Sequence, residues 1–236
     1  MMKTRSLYII TAAVAVFIFW ILIRSIGFSF DLSSLFSNNA QIEFADGDHV
    51  FAPLTSRDHR RGASDPLVTW VEYSDFECPY CVRFASITEE ILAAYPYQVE
   101  FVYRHYPNNV GHEYAYEKAM ASECAWSQGG DDAFWVFHDL LFENAGVGGG
   151  DVAYEDLPLY AEAMGLDVEE FAQCLVEESY GYRVTEDMLT GMNAGVVGTP
   201  TSYLVAQDGT VQIVPGVVDL EAASEIIDGI IASYGE

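Results

Sequence analysis

Leu67-Val68-Thr69-Trp70-Val71-Glu72-Tyr73-Ser74-Asp75-Phe76-Glu77-Cys78-Pro79-Tyr80-Cys81 is the stretch that decides how this chain folds. Leu67 to Tyr73 is rich in β-branched and aromatic residues and reads as a buried strand. Ser74 to Glu77 is a short connection. Pro79 suits the first turn of a helix, where its missing N–H costs nothing. Cys78 therefore falls at a helix N-terminus, where unpaired N–H groups and the positive end of the helix dipole favour a thiolate. Cys81, one turn later, is placed to resolve a mixed disulfide. Two cysteines at this spacing are also half of a zinc site, which needs a second close Cys/His pair. The other cysteines, Cys124 and Cys174, lie far from the first two and from each other, and His105 and His112 have the wrong spacing. Redox chemistry is the preferred reading, with no metal. A purely structural bridge across so small a loop would contribute little chain entropy.

A second signal comes at Gly198-Thr199-Pro200-Thr201, just before the strand-like Ser202-Tyr203-Leu204-Val205. Together with the strand–CxxC–helix upstream, it resembles the cis-proline loop of the thioredoxin superfamily. Five further stretches resemble the DsbA-type thiol–disulfide oxidoreductases: Glu72 to Cys81, Tyr103-Arg104-His105-Tyr106-Pro107, Glu123-Cys124-Ala125, Phe134-Trp135 and Phe171-Ala172-Gln173-Cys174-Leu175. Asp58-His59-Arg60-Arg61-Gly62 is similar to a leader found in the membrane-anchored members. The resemblance covers about residues 55 to 236.

The resemblance implies a thioredoxin fold and a thiol–disulfide oxidoreductase that needs no bound cofactor. Cys78 is expected to be the nucleophile and Cys81 the resolving, more buried cysteine, with Pro79 and Tyr80 tuning the helix terminus. In such proteins an acid at the spacing of Glu72 lies beneath the buried cysteine, which implies that Glu72 relays a proton to or from Cys81. Burial there raises a carboxyl pKa toward working pH. Pro200, if cis, sets the Thr199 backbone beside the disulfide, where it pairs with an extended substrate strand and keeps metal away. The implied partners are exported proteins with free thiols and a quinone-linked membrane reoxidant. A disulfide reductase or isomerase, a tethered non-catalytic chaperone and a metal-delivery module are the alternatives. Tyr80 cannot supply the charge of a histidine and Glu77 is adjacent and negative, so the thiolate should be less favoured than in the most oxidising relatives. That places the reduction potential on the order of −220 to −130 mV. Asp75 and Glu77 are expected to face solvent.

The 236 residues are 51% hydrophobic and 14% aromatic, enough for one domain with a sizeable core. Ser6 to Ile23 is an uncharged apolar run of 18 residues, a transmembrane-helix candidate. Lys3 and Arg5 precede it, and the positive-inside rule then puts the N-terminus in the cytoplasm and the rest outside. A cleaved signal peptide is the rival reading. Beyond Arg24 seven basic residues face 36 acidic ones, a formal charge of −29. Such a surface repels nucleic acid and does not lie flat on an anionic membrane. An exported location is one where disulfides persist, and Cys124 and Cys174 both fall in helical patterns, so a structural bridge between them is expected. Two buried free thiols are the alternative.

The pattern divides the chain into an anchor (1–26), a linker and approach (27–66) and a thioredoxin-like domain (67–236) with a helical insertion at about 108–196. Gln41–Phe44 and His49–Phe51 read as short strands around Asp46-Gly47-Asp48. A strand at 99–104 follows the first helix, and the crossover implies parallel pairing. Helical patterns run over 112–127, 132–143, 156–164, 168–178 and 183–193, with Gly146 to Gly150 as a flexible break. Strands at 202–206 and 210–214 are joined through Asp208-Gly209, and Asp219 caps a last helix. The expected order is βαβ, helices, then ββα.

Overall fold

A computed structural model describes residues 42–43, 49–108 and 110–233. The expected membrane span at 6–23 lies outside them, as do the whole anchor and half of the linker. Among the described residues no helix is long and apolar enough to cross a membrane.

The chain runs β1 (Ile42–Glu43), β2 (Val50–Phe51), β3 (His59–Gly62), β4 (Val68–Ser74), α1 (Pro79–Ala94), β5 (Val99–His105), α2 (Ala115–Asn144), a 3₁₀ turn at Tyr154–Asp156, α3 (Leu157–Ala163), α4 (Val168–Val176), α5 (Gly181–Asn193), β6 (Thr201–Ala206), β7 (Val211–Pro215) and α6 (Leu220–Ala232). The first two strands form a small hairpin, and the rest make one sheet in the order β3-β5-β4-β6-β7. β4 pairs parallel with β5 and antiparallel with β6.

Every residue of β4 is buried, because both faces of the sheet are covered. Trp70 on one face joins Phe84 and Ile91 of α1, Phe101, Leu204 and Ile227 of α6 in the main core. Val71 and Tyr73 on the other join Phe51, Val102, Ala194, Val196 and Tyr203. The alternation of strand side chains thus builds two cores from one strand.

The expected βαβ, helices, ββα order is present. Two local features differ from the expectation. Asp58 to Gly62, read as part of the approach to the domain, supplies edge strand β3, antiparallel to β5. Its four residues carry three charged or titratable side chains, so no apolar alternation marked it. The helices expected at 112–127 and 132–143 are both present within α2, which starts at Ala115 and breaks at Gly130, whose φ of 67° a side chain would resist. The Gly146–Gly150 break is a packed turn: a Cβ on Gly149 (φ +86°) would come within 2.0 Å of the Glu77 carbonyl. The insertion therefore closes directly against the residue preceding Cys78.

The expected cap at Asp219 is present, and a second, not expected, is at Asp167. Asp219 accepts from Ala222 N at 2.9 Å and starts α6, while Asp167 does the same for α4 from Glu169 N and Glu170 N. Cys124 and Cys174 are joined, with Cα atoms 5.9 Å apart and a sequence separation of 50. The bond ties α2 to α4 inside the insertion.

Candidate active site

β4 delivers the chain to the front edge of the sheet, and α1 begins there. Cys78 is the N-cap of α1, with extended backbone (φ −74°, ψ 119°), and Pro79 is its first residue. Cys78 is a free thiol and 5% exposed; Cys81 is free and fully buried. Tyr80 between them is 62% exposed. Thr199 and Pro200 are joined by a cis peptide bond, and Cys78 Sγ donates to the Thr199 carbonyl at 3.3 Å. The two signals, 121 residues apart, meet at one atom.

The electrostatics separate the two cysteines. The Cys78 pKa falls to about 6, chiefly because the Cys81 thiol donates to it. Burial opposes this, while Thr199 and the backbone N–H groups of Cys81 and Tyr80 add to it. These are the free donors of a helix N-terminus. Burial drives the Cys81 pKa well up, and its hydrogen bond to Cys78 and the nearby Glu72 push the same way. Near neutral pH the pair is one thiolate and one thiol, a nucleophile and a masked resolving group.

Glu72 is 3% exposed, on the face of β4 that points toward α1. Burial raises its pKa to about 7; Ser74 and Arg61 lower it and Cys78 raises it. A carboxyl that titrates at working pH beside a buried thiol is able to hold or release a proton there.

Asp75 and Glu77 do not face solvent. They are 2% and 4% exposed. Asp75 accepts from Glu77 N at 2.8 Å, from Asn108 N at 2.8 Å and lies 2.7 Å from His112 Nδ1. Glu77 accepts from Lys118 Nζ at 2.6 Å and from Tyr114 N at 3.1 Å. Its charge is thus opposed by a buried ammonium instead of acting unopposed on Cys78. Sequence reasoning missed Lys118. The available signal was a single lysine on the apolar face of a helix in a chain with only two lysines.

A second cluster lies behind the active-site loop. Glu123 of α2 is 3.0 Å from His59 Nε2 of β3, 3.2 Å from His105 Nε2 of β5 and 2.7 Å from Arg183 Nε of α5. His59 Nδ1 lies 3.0 Å from Asp131. Burial alone would raise the Glu123 pKa, but the bonds and charges of His105 and His59 hold it far below the carboxylate range. Two histidines and a carboxylate are a plausible metal set by type. Here they are spent on one another, and Arg183 brings its own positive charge, so the geometry is that of a structural ion network. It clamps four elements around the end of the sheet that carries Cys78.

The profile of a family described as Thioredoxin matches residues 54–228. The solved structure of Pseudomonas aeruginosa DsbA2 is 27% identical, with a TM-score of 0.65, and the match covers 75% of this chain and 97% of that one. A thioredoxin-like oxidoreductase from Silicibacter pomeroyi DSS-3 is 26% identical, with a TM-score of 0.58 over 74% of this chain and 92% of that one. Among curated proteins, Na(+)/H(+) antiporter NhaA 1 of Salinispora arenicola is 38% identical over 148 residues, which is 63% of this chain and 22% of the relative. The chain thus spans about a fifth of the length of the curated relatives it matches.

Proposed function

Because this chain belongs to the thioredoxin family and has a DsbA-like fold, we propose that it is a thiol–disulfide oxidoreductase that introduces or exchanges disulfides in exported proteins. The observation that carries the reading is the split Cys78/Cys81 pair, one pKa brought to about 6 and the other driven up, beside the cis-Pro200 loop. In the oxidising direction a substrate thiolate attacks Cys78 Sγ of the disulfide. The Cys78–Cys81 bond breaks, a substrate–Cys78 bond forms, and the electron pair leaves on Cys81. A second substrate thiolate attacks the substrate sulfur and releases Cys78 as a thiolate, a good leaving group at its low pKa. Thr199, beside Cys78, offers backbone groups to an extended substrate strand. Glu72 supplies and retrieves the proton of Cys81.

Oxidation of a reduced, unfolded disulfide protein tests this. The oxidised chain should restore native disulfides, and Cys78→Ser should abolish the activity. A Cys78→Ser variant that keeps full biological function would instead favour the tethered chaperone. Stoichiometric metal uptake by the reduced protein would favour metal delivery.

The proposed setting is a cell membrane, anchored through residues 1–26 with the domain outside the cytoplasm and a quinone-linked membrane protein as reoxidant. The antiporter-named relatives favour a second reading of the partner, in which the domain serves a membrane transport protein. A Cys81→Ser trap separates the two. Mixed disulfides recovered from cells should carry secreted proteins; a transporter as the sole captured species would decide for the second.

A further inference from the structure

Four polar atoms buried on one face of the sheet have no hydrogen-bond partner: Trp70 Nε1, Ser74 Oγ, Tyr103 Oη and Ser202 Oγ. Leaving a buried polar atom unpaired costs about 1–3 kcal/mol, so four around one point call for a reason. The strand register supplies the point. Glu72 lies opposite Tyr103 on β5 and opposite Ser202 on β6. Trp70 and Ser74 are its neighbours two residues either side on the same face. The residues that carry these atoms therefore surround Glu72 on that face of the sheet.

Ser74 is distinct among them. It is the last residue of β4, closest along the strand to the cysteines, and 1% exposed. Its hydroxyl lies within hydrogen-bonding reach of Glu72, Cys81 and Tyr103 and lowers the pKa of each, but it is shared among the three and makes a well-aligned bond to none. A hydroxyl both donates and accepts. One that stands between a thiol and a carboxyl can take a proton from one while giving its own to the other.

We infer that Ser74 Oγ is the positioning relay that carries the proton between the Cys81 thiol and the Glu72 carboxyl. The inference rests on the oxidoreductase reading above. When the Cys78–Cys81 bond is broken, the new Cys81 thiolate takes the Ser74 hydroxyl proton while Ser74 takes the Glu72 proton, leaving Glu72 ionised. When Cys81 attacks a mixed disulfide on Cys78, the same proton runs back. Cys81 Sγ bonds to Cys78 Sγ, the outer thiolate departs with the electron pair, and Glu72 ends protonated. Tyr103 Oη and Ser202 Oγ are left to solvate the ionised carboxylate. The titratable and charged groups facing Glu72 are Cys78 and Cys81 from α1, Tyr103 from β5 and Arg61 from β3, with His138 of α2 packed on the Tyr103 ring.

The return step can be watched alone, without any substrate protein. Reduced full-length chain is converted to the Cys78 mixed disulfide with thionitrobenzoate, and release of the chromophore reports attack by Cys81. In the wild type the rate should rise through a midpoint near 7, set by Glu72. Ser74→Ala should slow release at pH 7 on the order of tenfold to hundredfold and remove that midpoint, leaving a rate that follows hydroxide. Ser74→Thr, which keeps the hydroxyl, should restore the midpoint. The glutathione redox equilibrium should change little, because a relay affects both directions alike. Ser74→Ala with an unchanged rate and midpoint would overturn the inference. So would a uniform slowing with the midpoint retained, which is what a merely structural serine gives. The assay reads the relay even if the chain proves not to be an oxidase. Failure to oxidise protein thiols thus bears on the proposed function, and an unaltered profile bears on Ser74.

Discussion

At the scale of single residues, the chemistry rests on an asymmetry between two like side chains. Cys78 meets the open end of α1 and Cys81 meets the interior, so one thiol is stabilised as the anion and the other as the acid. Iodoacetamide modification of the reduced protein should follow a titration midpoint near 6 at Cys78 and leave Cys81 unmodified; a midpoint near the ordinary 9.0 would reject the assignment. Since a depressed pKa favours the folded state above the ordinary value, and that favour fades as pH falls through about 6, the reduced form should lose stability relative to the oxidised form on acidification. Tyr80→His should lower the Cys78 pKa further and shift the potential upward, measured by equilibration with glutathione. Lys118→Met should cost about 3 kcal/mol in urea denaturation, because it strands the buried Glu77 carboxylate, and should raise the Cys78 midpoint. An unchanged midpoint would mean that Glu77 does not act on the thiol. The meeting of Cys78, Cys81, Glu72 and Pro200 at one site was legible because local spacing marks the two cysteines and the family resemblance supplies the other two positions. Lys118 was not, because it reaches Glu77 across 41 residues of sequence.

Elements were legible where one period dominates. β4, α1, β6 and α6 announce themselves by apolar pattern, proline and cap. β3 did not, since an edge strand of charged residues carries no alternation, and its place is fixed by side-chain pairing. His59 binds Glu123 and Asp131, and Arg61 binds Asp139. The cluster gives β3 a pH-dependent hold. Burial would lower the His59 pKa, but the Asp131 and Glu123 bonds raise it. That contribution is complete below the ordinary 6.5 and fades as pH rises through the folded value. Glu123 is depressed, so its contribution is complete above the ordinary 4.5 and fades on acidification. Stability should therefore peak between about 4.5 and 6.5, and His59→Gln should flatten the profile on the alkaline side in denaturant titrations at fixed salt. A profile unchanged by the substitution would remove His59 from the account. Removing the Cys124–Cys174 bond by a double serine substitution should lower stability by about 2–4 kcal/mol without altering the Cys78 midpoint. Alkylation of both residues in unreduced protein would show that no such bond forms.

At the scale of the whole molecule, the helical insertion is more than an appendage. Its kinked first helix supplies Lys118 and Glu123, and its glycine turn closes on Glu77, so the half of the chain that looked accessory shapes the chemistry of the other half. That dependence could not be read from the chain, because helix periodicity says which face is apolar and not what it will meet. If residues 1–26 are an anchor, protease added to spheroplasts should degrade the domain; survival of the domain there would put it in the cytoplasm. The burial of Lys118 has one more consequence, for how the protein can be handled. It is the single lysine among the described residues and 1% exposed, so amine-directed dyes and crosslinkers find no exposed lysine in this domain while the fold is intact. Labelling at Lys118 then becomes a clock for opening of the active-site loop, started by the protein's own fluctuations and read one residue at a time.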